Sequence, residues 1–185
     1  MKSFLKKFIF FLFVVITITL IRTFVFQIYI VNGNSMLPTL KTGAVLITNK
    51  YLFAQRIPIT NQEFNYGSPI INRLDMVLFE GEAGDILVKR AIGLPGDFYN
   101  FADGRILIDS VPLDEKYKVP DSKTLLLPQP IVPDSVFFPM QKEGRIPPDY
   151  YLLLGDNREH SFDSRNIGLI PLSRIRGKVF YILKN

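Results

Sequence analysis

The chain has no cysteine and a single histidine, His160. Without cysteine there is no disulfide scaffold, no thiol nucleophile and no thiolate metal site. One imidazole argues against a zinc centre, and no metal or cofactor is expected. The body of the chain also lacks an excess of charge of either sign. Residues 1–30 hold Lys2, Lys6, Lys7 and Arg22 and no acid, while the other 155 residues carry 18 basic and 17 acidic side chains. A surplus of one positive charge gives no basic footprint, so nucleic acid is excluded as a partner. Charged residues make up 21% and hydrophobic ones 48% of the 185 residues, which fits one compact unit with a buried core rather than a disordered chain.

A long uninterrupted apolar run is missing from the N-terminus. Residues 8–21 are 14 residues without a charge, covering only about 21 Å of a ~30 Å hydrocarbon layer as a helix. Extended past Arg22 to residue 30 the stretch reaches 23 residues, with one arginine near the far end that can snorkel to the headgroups. Three lysines before an apolar stretch are also the layout of a cleaved signal peptide. Residues 21–30, IRTFVFQIYI, offer no small-x-small cleavage site, however. The expectation is an uncleaved anchor, with residues 1–7 cytoplasmic, 8–30 in the lipid bilayer and 31–185 outside.

Beyond residue 30 no long segment has a helical period. Short β-rich runs recur instead at 44–48, 76–79, 86–92, 105–108, 150–154 and 178–183, separated by turn signals such as Leu94-Pro95-Gly96-Asp97. Eight of the 13 prolines fall from Pro112 to Pro148, so residues 109–147 read as an inserted excursion and 49–73 as a polar loop.

Three segments stand out. Asn32-Gly33-Asn34-Ser35-Met36-Leu37-Pro38-Thr39-Leu40 holds a serine in a turn, where it is as readily a capping residue as a nucleophile. In Asp85-Ile86-Leu87-Val88-Lys89-Arg90-Ala91-Ile92-Gly93-Leu94-Pro95-Gly96-Asp97, alternation puts Leu87, Lys89 and Ala91 on one strand face; the lysine must be paired, exposed or neutral. The loop Gly155-Asp156-Asn157-Arg158-Glu159-His160-Ser161-Phe162-Asp163-Ser164-Arg165 is dense enough in polar groups to be a self-satisfied turn network.

Together and in this order, the anchor, G-x-S-M-x-P-T-L, K-R-x-x-G-L-P-G-D and G-D-N-R-x-x-S-x-D-S-R resemble the bacterial type I signal peptidases. The resemblance implies a mainly β fold, in which an N-terminal transmembrane helix precedes a signal-peptidase-type antiparallel β catalytic domain with an inserted Pro-rich β/loop extension. It implies a single-pass serine endopeptidase of the bacterial cytoplasmic membrane, its catalytic domain on the outer side, cleaving signal peptides from exported preproteins after small residues. By position, Ser35 becomes the nucleophile, Lys89 the general base and Ser161 the hydroxyl that orients the amine. Asp163 and Arg165 become a supporting ion pair, and Asp156 and Arg158 structural residues. A lysine acts as a base only when neutral, so its ordinary value of about 10.4 must fall through burial.

Two departures stand out: Gly33 occupies a position that is serine in many Gram-negative members, and Leu74-Asp75 replaces a frequent Gly-Asp pair. Tyr29, Val31, Met36 and Val88, on the strands leading into Ser35 and Lys89, are candidates for two shallow substrate pockets, or else plain core. A β-domain that binds signal peptides without cutting would lack one member of the Ser35/Lys89 pair. A self-cleaving repressor-type Ser/Lys protease would carry a DNA-binding domain in place of the anchor. His160, beside Ser161, is a rival base that alternation turns away from the site.

Overall fold

Residues Lys2–Phe24 contain no glycine or proline and form helix α1. Two of its threonines satisfy their hydroxyls within the helix, Thr17 donating to the Phe13 carbonyl at 2.9 Å and Thr19 to that of Val15 at 2.8 Å. Apolar side chains from Phe4 to Ile21 are exposed around it. The structure, a computed structural model, describes residues 2–50, 53, 55–56, 63–64, 69–120, 122–124 and 139–185. Among these no helix is long and apolar enough to cross a membrane. The segment expected over 8–30 is cut short, because Phe26–Ile30 is not helix but strand β1. Aromatic and β-branched residues there favour a pleated strand, and β2 (Val45–Asn49) supplies its partner, Phe26 facing Asn49 and Ile30 facing Val45.

The remaining strands are β3 (Gln55–Arg56), β4 (Glu63–Phe64), β5 (Met76–Glu80), β6 (Ile86–Gly93), β7 (Phe98–Ala102), β8 (Arg105–Ile108), β9 (Val111–Pro112), β10 (Glu143–Arg145), β11 (Tyr150–Leu154), β12 (Ile170–Pro171) and β13 (Ile175–Lys184). One short helix, α2 (Ser164–Ile167), precedes β12. The fold is mainly β and antiparallel, and each of the six runs read from the sequence overlaps a strand. A seven-stranded sheet runs β1-β2-β13-β5-β6-β11-β12, a four-stranded sheet β10-β7-β8-β9, and β3 pairs with β4. In the β7–β8 hairpin Asp103 and Gly104 both take positive φ, 50° and 72°, the geometry that a two-residue turn between twisted strands requires.

The excursion expected over 109–147 is part of the fold at both ends. β9 and β10 are the edges of the four-stranded sheet, where Pro112 costs no ladder bond. Residues 121 and 125–138 of that stretch lie outside the described residues, as does most of 49–73, although Phe53 and Ile71 are buried in the core.

Three apolar clusters hold the body together. One gathers Val77, Phe79, Ala91, Leu153, Ile170 and Ile175. A second joins the two larger sheets through Ile92, Tyr99, Ile106, Ile146, Leu152 and Leu154. The third, of Val31, Met36, Leu40, Ala44 and Leu46, lies under the turn that carries Ser35.

Candidate active site

Ser35 sits in a turn clamped from below and from the side. Met36 and Leu40, 1% and 0% exposed, plunge into the third cluster, which leaves Ser35 at its rim. Val31 and Gly43 close the base of the turn, with the Val31 N–H on the Ala44 carbonyl at 2.9 Å and the Gly43 N–H on the Val31 carbonyl at 2.8 Å. From the third motif, the Asn157 N–H donates to the Ser35 carbonyl at 3.0 Å and its side-chain amide to the Asn34 carbonyl at 3.1 Å. Gly33, at φ 109°, takes a conformation that glycine alone adopts cheaply. The Ser35 N–H makes no hydrogen bond among the described residues and is available to a ligand.

β6 brings Lys89 to the same point. Lys89 lies opposite Val77, and on its strand face Leu87 and Ala91 belong to the first cluster. Only 2% of it is exposed; its Nζ lies 2.8 Å from Ser35 Oγ and donates to the Val88 carbonyl at 3.1 Å. Burial lowers the lysine from 10.5 to about 8 against the opposing pull of Asp163, Asp85 and Asp156, with Arg165 adding to the lowering. The far edge of β6 is covered by β11 only from Arg90 to Gly93, leaving the edge from Ile86 to Lys89 without a strand among the described residues.

The third motif closes the site with buried ion pairs. Asp163 caps α2 and meets the Arg165 guanidinium through both oxygens, at 2.9 Å each, while one oxygen also accepts from the Gly155 N–H at 2.9 Å. Asp156 pairs with Arg90, at 2.8 and 2.6 Å, and accepts from Thr39 of the Ser35 turn at 2.5 Å. A Cβ built on Gly155 would lie 2.5 Å from the Ser35 carbonyl oxygen and 2.1 Å from Ser161 Oγ, so only glycine fits this approach. Among the described residues no group of His, Asp and Glu converges as a metal site.

This convergence has close relatives. The family model described as signal peptidase, peptidase S26, matches residues 2–184. Signal peptidase I of Bacillus caldolyticus is 34% identical over 165 residues, 89% of this chain and 83% of the relative. Signal peptidase I V of Bacillus subtilis (strain 168) is 30% identical over 178 residues, 95% of this chain and 98% of the relative. Among solved structures, a signal peptidase I of Enterococcus faecalis matches with a TM-score of 0.45 and 23% identity, over 60% of this chain and 97% of that one. The chain belongs to the signal peptidase family, peptidase S26. It is an enzyme of that family, a serine endopeptidase.

Within this peptidase, the structure brings Ser35 and Lys89 together and forms the Asp163–Arg165 pair. It does not bring Ser161 to the amine. Ser161 Oγ is buried with no hydrogen-bond partner among the described residues, and the lysine turns instead to Ser35 and Val88. His160 is exposed. Of the pocket candidates, Tyr29 is half-buried on β1 and Val88 flanks the third cluster, whereas Val31 and Met36, at 8% and 1% exposed, are core under the turn; the apolar contacts that fix Ser35 bury both. Leu74, where the frequent pattern has glycine, adopts φ 73°, a conformation glycine favours. Hydrogen bonds to Ala91 and from Arg90, together with packing on the second cluster, hold it there.

Sequence reasoning missed Arg90, Thr39 and Asn157 as residues that hold the site. All three stood inside the motifs, but nothing in the string says which acid or carbonyl each one meets.

Proposed function

We propose that this peptidase is anchored in the bacterial cytoplasmic membrane by α1 and cleaves N-terminal signal peptides from exported preproteins after small residues, with Ser35 as nucleophile and Lys89 as general base. The observation that carries the proposal is the 2.8 Å approach of Ser35 Oγ to an amine that burial holds near 8. At that value about a tenth of the amine is neutral at pH 7, enough to accept the Ser35 proton as Oγ attacks the scissile carbonyl. The oxyanion that forms meets the unengaged Ser35 N–H. Collapse breaks the C–N bond, Lys89 returns its proton to the leaving amine, and the acyl group remains as an ester on Ser35. Water deprotonated by Lys89 then attacks the ester and restores the hydroxyl. Neither step calls for a metal or a cofactor.

The uncovered edge of β6 from Ile86 to Lys89 suits an extended peptide added as a strand, with Tyr29 and Val88 as flanking apolar surface. Asp163 and Arg165 keep the loop in place, and Ser161 supplies a hydroxyl that can turn toward the amine. For the anchor, the 17 helical residues from Phe8 span ~26 Å, with apolar side chains exposed around the helix and the Thr17 and Thr19 hydroxyls satisfied internally, as hydrocarbon demands.

The deciding experiment incubates the detergent-solubilised chain with a preprotein bearing an Ala-x-Ala site and sequences the new N-terminus. Cleavage after the second alanine, lost in Ser35→Ala and in Lys89→Ala, is expected; turnover by either variant removes the pair from the mechanism. External protease on spheroplasts should digest residues beyond 30 and spare the lysine end, and protection of the β body would reverse the topology.

A further inference from the structure

Three arginines are buried around the site, and each has one acid. Arg90 pairs with Asp156 and Arg165 with Asp163, so two pairs are made among the motif residues themselves. In the loop of Arg158 itself, Asp156 and Asp163 are taken and Glu159 is exposed. The Arg158 guanidinium, 0% exposed, is neutralised by Glu115 at 2.6 Å, a residue from the proline-rich stretch that carried no signal in the sequence. That stretch makes further contacts here. Thr124 accepts a hydrogen bond from the Arg158 guanidinium, the Val119 N–H donates to the Asp156 carbonyl at 3.2 Å, and the Tyr117 ring lies 4.3 Å from the Arg90 guanidinium.

Both arginines reach the reacting groups in one further step. Arg158 Nε donates to the Gly155 carbonyl at 2.8 Å and its own carbonyl accepts from Arg165 at 2.7 Å, so Gly155 is gripped through its carbonyl by Arg158 and through its N–H by Asp163. Gly155 is the residue whose Cα faces the Ser35 carbonyl and Ser161 without room for a methyl group. Arg90, with Asp156, holds Thr39 of the nucleophile turn.

We infer that Glu115 and Tyr117 are positioning residues for catalysis, a strap from the extension that sets Gly155 and the nucleophile turn through Arg158 and Arg90. This rests on the assignment of Ser35 and Lys89 above. Removal of the Glu115 charge leaves a buried cation uncompensated, the loop shifts to solvate it, and Gly155 moves against Ser35. Misplacement by a fraction of an ångström at the reacting atoms lowers the chemical step far more than it lowers peptide binding.

The test is steady-state cleavage of a short peptide with an Ala-x-Ala site by the full chain in detergent. Glu115→Gln should lower kcat roughly tenfold or more with KM within about twofold, and Glu115→Asp should recover part of the loss. In the double variant with Arg158→Met, the losses should not multiply. Tyr117→Leu, which removes the ring over Arg90 and leaves every buried charge paired, should lower kcat in the same sense and stands in if Glu115→Gln does not fold. Wild-type kcat in Glu115→Gln and Tyr117→Leu, a rise in KM at constant kcat, or losses that multiply would each overturn the strap. A Ser35→Ala control separates the two readings. If it is active, the assignment of the nucleophile fails; if it is dead beside a wild-type Glu115→Gln, only the strap fails.

Discussion

Replacing Lys89 by methionine should abolish cleavage and yet stabilise the fold. The drop from 10.5 to about 8 means that the protonated amine costs about 3 kcal/mol in the folded chain at pH 7 relative to the unfolded one. Methionine keeps an unbranched side chain of similar length in a face lined by Leu87, Val77 and Ala91, without the charge. It forfeits the contacts to Ser35 and Val88, about 1 kcal/mol each. The net gain is ~1 kcal/mol or somewhat more, which for a chain of this size raises Tm by ~2–6 °C. The sign with pH follows from the lowered value. Below pH 8 both states hold the proton and the folded chain bears the full cost. Between 8 and 10.5 the folded chain has released a proton that the unfolded chain still binds, so wild-type stability rises with pH across this window. The advantage of Lys89→Met should therefore be largest at pH 7 and gone by about pH 10, measured by thermal unfolding of the detergent-solubilised chain. A variant less stable than wild type at pH 7, or one whose advantage does not change with pH, would refute the view that burial strains Lys89.

The same lowered value sets the rate: kcat/KM should climb about tenfold per pH step from 6 to 7, level off above about 8, and show no such rise if another group is the base. Ser161→Ala should lower turnover by roughly ten- to a thousandfold without lowering Tm, because the hydroxyl it removes is buried and unpartnered; unchanged turnover would make Ser161 a turn residue. Gly155→Ala, whose methyl group would meet the Ser35 carbonyl and Ser161, should cost about a hundredfold in kcat, and near-normal turnover would show that the loop yields.

The strands were legible because their signal is local. β5, β6, β8, β11 and β13 carry β-branched or aromatic runs bounded by turns. β1 was legible only at its end, as the strand leading into Ser35: its first apolar residues extend the composition of α1 without a break, and pairing with β2 tells strand from helix. β9 and β10 were hidden by prolines, which an edge strand tolerates. At the site, Ser35 and Lys89, proposed as nucleophile and base, were readable because each sits in a dense motif. Of the residues that hold them, Asp163 and Arg165 were readable as a pair within one motif, but the pairings between distant segments were not. Glu115 meets Arg158 across 43 positions, and no periodicity reports such a pairing.

What the sequence-level rules count as errors gathers around Ser35. Lys89 is a cation in an apolar face, Ser161 a buried hydroxyl with no partner, and Leu74 a leucine at positive φ whose carbonyl holds Arg90. A left-handed leucine costs on the order of 1–2 kcal/mol, and an unmet hydroxyl about 1–3 kcal/mol; with the lysine, these are large against the stability of a single domain. Each persists because three apolar clusters and three buried ion pairs over-determine the surrounding backbone. On the proposed mechanism the lysine and the serine also have a common chemical reason. A base must be short of solvation to be neutral near pH 7, and a hydroxyl that is to follow a proton between amine and substrate cannot be satisfied in advance by the protein. Leu74 answers to a different need. Its carbonyl accepts from Arg90, whose other bonds go to Asp156 and Thr39. The backbone at residue 74 is therefore linked through Arg90 to Thr39 of the Ser35 turn.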